Sequence, residues 1–159
     1  MRLQSTQNSC GPNSVSNALK ALGYDISEDR IEDAVGKVQR QGGAQISDGT
    51  DINQLKRVLK LLKFGHAEIK LTDAEAAWRV LRTYLLDGSS VILSIQDDEH
   101  WASAIGLIGK NILVADGAIT ELVVSYDKHA MLKEWGNVGD ITTYHGLAVV
   151  DSRKKLIDL

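Results

Sequence analysis

The sequence contains little cysteine and proline and has no long apolar run. Cys10 is the only cysteine among 159 residues, which excludes an internal disulfide and any zinc site built from several cysteines. An unpaired thiol is typical of a reducing compartment, so we expect a cytoplasmic protein, or secretion-system cargo without a cleaved signal peptide. No apolar run approaches the ~20 residues that a transmembrane helix needs, so no membrane span is expected.

An excess of positive charge is also missing. The chain carries 18 Lys and Arg against 21 Asp and Glu, for a formal net charge of −3. This balance gives no general attraction to phosphate backbones, so nucleic acid is not an expected partner. The strongest local basic cluster, Lys56, Arg57, Lys60 and Lys63, has the spacing of a solvated helix face. No two His or Cys residues fall at metal-ligand spacing, so neither a metal nor another cofactor is expected.

The spacing of apolar residues changes from helical in the first half to strand-like in the second. The predicted helices lie near residues 14–22, 27–41 (or 27–36), 50–65, 72–88 and 127–135. Predicted strands lie at residues 66–71, 90–96, 101–108, 112–115, 122–126 and 142–150. Thr72 and Glu75 form a capping-box pattern at the start of the fourth helix. We predict an α+β fold in which a helical N-terminal half packs on an antiparallel sheet, as one domain over residues 1–159.

Cys10 lies in a sequence context that suits a nucleophile. It opens the run Cys10-Gly11-Pro12 before a helical pattern, and a helix N-terminus favours a thiolate because its free N–H groups and dipole attract an anion. Pro12, the only proline, suits a first helical turn, and Gly11 is expected to leave room for a substrate. The alternative is a small buried apolar residue, against which the polar neighbours Asn8, Ser9 and Asn13 argue.

Two histidines compete for the role of the base that takes the thiol proton. His100 precedes an apolar run and lies across a predicted hairpin from Asp116, whose carboxylate would hold the imidazole in one tautomer. The alternatives are a turn histidine at a strand start and an ordinary turn aspartate. His145 also precedes an apolar run, but Asp151 follows about 20 Å away at ~3.3 Å per residue, so these two cannot act as a pair.

An amide upstream of the cysteine completes the candidate site. The Gln4 side chain could donate an N–H to the oxyanion that forms when a thiolate attacks a carbonyl, and Gln7 and Asn8 are alternatives. A thiol, an imidazole, a carboxylate and an amide are together the groups of a cysteine nucleophile site. The residues therefore predict thiol-mediated acyl transfer, such as peptide cleavage through a thioester.

The order of these residues resembles that of the bacteriocin-processing cysteine peptidases. The resemblance rests on Gln4, on Cys10 six positions later, and on His100 followed sixteen positions later by Asp116. That family consists of papain-like domains that remove double-glycine leader peptides, often at the front of peptide-exporting ABC transporters. The resemblance implies a papain-like fold with Cys10 as nucleophile, His100 as general base and acid, Asp116 as its orienting carboxylate and Gln4 as oxyanion donor.

The sequence departs from that family's pattern at two positions and leaves three functions open. Ser9 stands where the family often has Asp, and Gly117 stands where it usually has Pro. The first function is a cysteine peptidase acting on a peptide or protein substrate. The second is a catalytically silent module that binds a peptide, and the third is another thiol acyl-transfer enzyme, such as an amidase, deamidase or transglutaminase-type toxin domain. An inhibitor or a transporter partner is compatible with each.

Overall fold

Helices surround one antiparallel sheet in this computed structural model, which describes residues 10–41, 50–96, 100–118 and 122–151. Within those ranges the helices are α1 (Cys10–Ala21), α2 (Glu28–Gln41), α3 (Ile52–Leu61), α4 (Ala74–Leu86) and α5 (Lys128–Trp135). The strands are β1 (Gly65–Leu71), β2 (Ser90–Ile95), β3 (His100–Ile108), β4 (Asn111–Ala115), β5 (Val123–Tyr126), β6 (Gly136–Asn137) and β7 (Thr143–Val150). The predicted α+β class is confirmed. Across the same ranges, the chain forms no helix with the length and apolar character that a bilayer-spanning segment requires.

The strand order brings the ends of three strands together. The sheet runs β1-β7-β2-β3-β4-β5, and β6 pairs with the start of β7. Ile95 at the end of β2 pairs with His100 at the start of β3. Ser103 on β3 pairs with Ala115, the last residue of β4, so Asp116 follows at the same end of the sheet. The β3–β4 hairpin therefore places His100 and Asp116 close to each other.

Helices cover both faces of the sheet. The helices α1, α2 and α3 pack on one face against Ile92 and Leu147, and α4 and α5 pack on the other face against Val91 and Leu93. Successive residues of β2 thus enter different cores, as the two-residue period of a strand requires. The sequence prediction did not assign the helices to faces of the sheet, and the structure places α4 and α5 on the face opposite α1, α2 and α3.

Two serine hydroxyls attach α1 to the sheet. Ser103 Oγ on β3 donates to the backbone oxygen of Ser14 at 2.6 Å, and Ser90 Oγ on β2 donates to the backbone oxygen of Ala18 at 3.0 Å. All four residues are buried. A carbonyl oxygen has two lone pairs, so each of these helix carbonyls can accept the serine as well as its partner within the helix. Because hydrogen bonds are directional, the pair specifies which turn of α1 faces which strand.

The end of α3 corrects one prediction. The helix ends at Leu61, not at Gly65 as the sequence predicted. Lys63 adopts a left-handed conformation with φ 66°, and the Phe64 N–H returns to the Leu59 oxygen at 2.9 Å. This arrangement gives hydrogen-bond donors to carbonyls in the last turn of the helix, and the left-handed position in it is usually occupied by glycine. Since a lysine takes the position that favours glycine, the sequence contained no clear stop signal before Gly65.

Aspartates cap the starts of α3 and α4. Asp51 accepts from the Gln54 N–H at 2.8 Å while the Gln54 side chain accepts from the Asp51 N–H at 2.9 Å, which is a capping box and agrees with the predicted start of α3. On α4 the cap is Asp73, which accepts from the Ala76 N–H at 2.9 Å. The capping box predicted from Thr72 is therefore wrong by one residue, because Asp73 provides the stronger carboxylate acceptor.

Candidate active site

Three of the four predicted site residues meet at one end of the sheet. Cys10 is the first residue of α1, His100 is the first residue of β3, and Asp116 directly follows β4. Cys10 is half-buried, whereas His100 and Asp116 are 8% and 4% exposed. Gln4 lies outside the described residues, so its predicted role as an oxyanion donor stays a prediction.

The His100 ring is held by a buried carboxylate. Its Nε2 atom lies 2.6 Å from Asp116 Oδ1, and the same oxygen accepts from the Ala118 N–H at 2.9 Å. The Asp116 N–H in turn donates to the Leu122 oxygen at 2.8 Å, which closes the loop that carries the carboxylate. Burial acts to raise the pKa of Asp116, but the bonds to His100 and Ala118 hold the pKa of that carboxyl below its usual value. Asp116 therefore faces the imidazole as an anion.

The Cys10 sulfur faces the other side of the same ring. Burial acts to raise the pKa of the Cys10 thiol, but a hydrogen bond to His100 and the backbone N–H groups of Trp101 and Gly11 bring that pKa below its usual value. Since Nε2 of His100 is paired with Asp116, the ring atom left for the sulfur is Nδ1.

Opposing effects also determine the charge on His100. Burial acts to lower the pKa of His100, yet the hydrogen bonds to Asp116 and Cys10 raise that pKa to about 9. A raised pKa for the imidazole and a lowered pKa for the thiol both favour a thiolate paired with an imidazolium near neutral pH. The arrangement can therefore present an ionised sulfur to an electrophile and hold a proton beside it.

Two residues besides the four predicted site residues lie beside the Cys10 site. The backbone N–H of Trp101 helps to lower the pKa of the Cys10 thiol, and the indole Nε1 of Trp101 donates to the backbone oxygen of Thr50 at 2.7 Å. The position of Trp101 directly after His100 is a sequence signal that points to the site. Thr50 has no such signal, because it lies 51 positions from Trp101 and only the tertiary fold brings the two together.

Gly11 permits a close approach between two backbone segments. A Cβ atom at Gly11 would lie 2.7 Å from both Cβ and Oγ1 of Thr50, closer than side-chain atoms pack. The expectation that Gly11 leaves room for a substrate is therefore wrong, because Thr50 occupies that space. The glycine instead lets the start of α1 lie against the residue that precedes the cap of α3.

His145, the competing histidine, belongs to a different group of side chains. Its Nε2 atom lies 3.6 Å from Glu68 Oε2, and Glu68 is paired with Lys56. The bond to Lys56 is the main reason that the pKa of Glu68 is lowered. Asp151 accepts from the Tyr24 hydroxyl at 2.7 Å. Across the described ranges of the chain, no three His, Cys, Asp or Glu side chains form a group that could hold a metal ion.

Comparison with known proteins identifies the family. The model of the Peptidase_C39 like family matches residues 1–143. The chain belongs to this family. No curated protein shows a significant match to the sequence of this C39-like protein.

Solved structures share the fold of this C39-like protein. The peptidase domain of Streptococcus ComA, a bifunctional ABC transporter involved in a quorum sensing pathway, has a TM-score of 0.63 and 13% identity, over 95% of this chain and 97% of that one. A double glycine motif protease from an AMS/PCAT transporter, in complex with the leader peptide, has a TM-score of 0.62 and 12% identity, over 94% of this chain and 89% of that one. The predicted papain-like fold and the resemblance to leader-processing peptidases are thus confirmed at the level of fold and family.

Proposed function

We propose that this protein is a cysteine peptidase in which the Cys10 thiolate attacks a peptide carbonyl. The observation that carries the proposal is the hydrogen-bonded chain from the Cys10 sulfur through the His100 ring to Asp116, with 2.6 Å between Nε2 and Oδ1. A thiolate, an imidazolium and an orienting carboxylate are the groups that acyl transfer requires. Membership of the C39-like family supports the same class of reaction.

Acylation would transfer the acyl part of the substrate to Cys10. The sulfur forms a bond to the scissile carbonyl carbon, and the electron pair of the C=O π bond moves to oxygen. When this tetrahedral intermediate collapses, the C–N bond breaks and the His100 imidazolium gives its Nδ1 proton to the leaving amine. The products are a thioester on Cys10, a free amine and a neutral imidazole that Asp116 keeps in position.

Deacylation would restore the ion pair. Neutral His100 takes a proton from water at Nδ1 while the water oxygen bonds to the thioester carbon. Collapse of the second intermediate breaks the C–S bond and releases a carboxylic acid. Cys10 returns as thiolate beside protonated His100. In both steps we assign Gln4 as a donor to the negatively charged oxygen, beside a backbone N–H.

The comparison structures suggest which substrate to test first. One of them is a double glycine motif protease in complex with a leader peptide. We therefore propose a peptide or protein substrate that is cut after a pair of glycines. We further propose that the reaction takes place in the cytoplasm, where a reducing environment keeps the lone Cys10 thiol free.

The deciding experiment is cleavage of a peptide that carries one Gly-Gly pair, followed by mass spectrometry. The wild type should release a fragment that begins directly after the pair, and Cys10→Ser should lower turnover by about 10³-fold or more. Turnover that survives in Cys10→Ser would refute the proposal. A mass change that corresponds to an amide-to-acid conversion or to a conjugate, without a backbone cut, would favour the amidase, deamidase or transglutaminase alternatives.

Alkylation separates an enzyme from a catalytically silent module. Because Cys10 is the only cysteine, iodoacetamide incorporation reports on this thiol alone. A thiol ionised by His100 should react faster near neutral pH than free cysteine does. Reaction at the rate of free cysteine, with no turnover of any peptide, would instead favour the silent binding module.

A further inference from the structure

The helices α2 and α3 enclose a groove in which positive charge is concentrated. Two adjoining cavities of about 420 and about 370 Å³ share Lys37 and Leu61 and together form this groove. Its cationic residues, all of them exposed, are Arg30, Lys37, Arg40, Arg57, Lys60 and Lys63. We call this surface the basic groove.

The charge of the basic groove differs from that of the whole chain. The groove contains six of the 18 Lys and Arg residues but only one of the 21 Asp and Glu residues, Asp33. Within the described residues none of the six cations forms an ion pair, whereas Lys56, a neighbour on α3, is paired with Glu68. Like charges that are held close together destabilise a folded chain, so the groove is suited to an anionic partner.

The groove is elongated and has an apolar part between its charged rims. Arg30 and Gln41 are eleven positions apart on α2, a length of about 16 Å at 1.5 Å per residue. Leu61 lies in the groove and is 48% exposed. A single phosphate needs donors that converge on one point, and a phosphate backbone gains nothing from an apolar contact. A polypeptide segment with acidic flanks and an apolar side matches the length of the groove and its lining of cations around Leu61.

The basic groove is separate from the cysteine site. Thr50, which contacts Trp101, directly precedes the cap of α3, and Lys60 lies ten positions later, about 15 Å along the helix axis. Cys10 begins α1, which does not line either cavity. A partner in the groove would therefore leave the approach to the sulfur open.

We propose that the basic groove is a docking site for an acidic amphipathic segment of a partner polypeptide. Asp or Glu side chains on the flanks of the segment pair with the cations of α2 and α3, and an apolar side chain between them covers Leu61. Exposed charges act over a Debye length of about 10 Å at 0.1 M salt, so association depends on ionic strength. This docking does not require that Cys10 be catalytically active.

The test measures binding of a fluorescein-labelled amphipathic peptide of about 14 residues, with Glu flanking a Leu side. Fluorescence anisotropy compares the full-length wild type with Lys37→Glu/Lys60→Glu, which reverses one charge on each rim. The control Lys110→Glu/Lys133→Glu changes the net charge equally, from −3 to −7, because each reversal subtracts two charges at an exposed site outside the groove. A scrambled peptide of the same composition tests whether the apolar side matters.

We expect the groove variant to weaken peptide binding about 10-fold or more and the control about 2-fold or less. Raising the salt concentration from about 50 to about 200 mM should weaken binding to the wild type. Cys10→Ser should bind the peptide as the wild type does, which separates docking from peptidase activity. Iodoacetamide should alkylate Cys10 equally fast in both charge-reversal variants, which verifies that the fold is intact.

Two outcomes would overturn the docking proposal. Equal weakening in the groove variant and the control would show that the attraction comes from overall charge. Absence of acidic-peptide binding to the wild type would also refute it, and phosphatidylserine vesicles, an oligonucleotide or inorganic phosphate tested in parallel would identify a different anionic ligand.

Discussion

The indole Nε1 of Trp101 donates to the backbone oxygen of Thr50 at 2.7 Å. The backbone N–H of the same tryptophan helps to lower the pKa of the Cys10 thiol. Thr50 also lies against Gly11, the residue that follows the cysteine. Three chain segments that are distant in sequence thus meet around the sulfur, and substitutions at their contacts should affect reactivity as well as stability.

Trp101→Phe removes the indole N–H, replaces the bicyclic indole with a smaller phenyl ring and keeps the backbone N–H. Trp135→Phe is a matched control, because Trp135 Nε1 donates to the His145 oxygen at 2.9 Å. Each change should lower the free energy of unfolding by at least about 1 kcal/mol, the usual net value of such a bond. Trp135→Phe should cost more than Trp101→Phe, because Trp135 is fully buried and the smaller ring leaves a cavity. Only Trp101→Phe should reduce kcat/KM for peptide cleavage, by about 10-fold. Denaturant unfolding and kinetics measure the two effects, and equal kinetic effects in both variants would contradict this role.

Gly11→Ala places a methyl group against Thr50 and should displace the start of α1. We expect a loss of about 1–3 kcal/mol in the free energy of unfolding, together with slower alkylation of Cys10. Gly106→Ala is the control, since no atom lies within 4 Å of its would-be Cβ. Adding Thr50→Gly to Gly11→Ala should restore part of the loss in a double-mutant cycle. Purely additive effects would show that the contact is unimportant.

His100→Ala should raise the pKa of the Cys10 thiol, because the bond to the ring is the largest effect that counters burial. The pH at which the iodoacetamide rate reaches half its maximum should increase, and peptide turnover should fall by about 10²–10⁴-fold. The exposed His129, replaced by alanine, provides the control. An alkylation profile that is the same in His100→Ala and in the wild type would exclude His100 as the group that ionises the thiol.

The pH profile of kcat/KM should be bell-shaped. Its rising limb reports loss of the Cys10 proton, and its falling limb lies near pH 9, where His100 loses its proton. Asp116→Asn removes the bond that raises the pKa of His100, so the falling limb should move to lower pH and turnover should fall by about 10²–10⁴-fold. Asp140→Asn, at an exposed loop position, should leave both limbs in place. A falling limb that does not move in Asp116→Asn would contradict this assignment.

Cys10→Ser isolates the His100–Asp116 pair in the pH dependence of stability. The pKa of the Cys10 thiol is lowered in the folded state, so this thiol makes the wild type more stable as the pH rises. The effect of His100 has the opposite sign in an overlapping pH range, and replacing Cys10 by serine leaves the effect of His100 alone. The folded-state pKa of His100 is raised from 6.5 to about 9 in the wild type, and the bond to Asp116 still raises it in the variant. The stabilisation by protonated His100 is fully present below pH 6.5, the pKa of His100 in the unfolded chain. It is lost as the pH rises through the pKa of His100 in the folded protein.

The free energy of unfolding of Cys10→Ser should therefore fall across that window, by at most about 1.4 kcal/mol per pH unit for one proton. Denaturant midpoints at a series of pH values measure the slope. Adding Asp116→Asn should flatten the curve over the same range. A curve for Cys10→Ser that is already flat would show that His100 is not stabilised as an imidazolium.

Local patterns predicted most of the secondary structure. The predicted strand at 101–108 differs from β3 by one residue, and the predicted strand at 142–150 differs from β7 by one residue. These strands were predictable because apolar runs bounded by turn residues reflect a buried sheet. The end of α3 was missed because Lys63 adopts a conformation that no sequence pattern indicates. The two-residue β6 is too short to have a pattern of its own.

The candidate site was predictable in part. Cys10, His100 and Asp116 follow from a thiol at a helix start and from two residues at the ends of hairpin strands. Thr50 could not be found in this way, because its bond to Trp101 depends on how α3 packs against the sheet. The second helical layer had a sequence signal that the prediction did not use: the run Val91-Ile92-Leu93 is continuously apolar, which is typical of a strand covered on both faces. The structure agrees, since β2 is buried at every position.

The hydroxyls of Ser103 and Ser90 have a consequence for how activity would be lost on heating. Sliding α1 by one helical turn would move Cys10 by about 5.4 Å, enough to separate the sulfur from its imidazole. Apolar packing tolerates small displacements, but these two bonds are directional and would break during such a slide. We therefore expect Cys10 to keep its alignment until the whole fold melts, so that loss of Cys10 reactivity on heating and cooperative unfolding coincide.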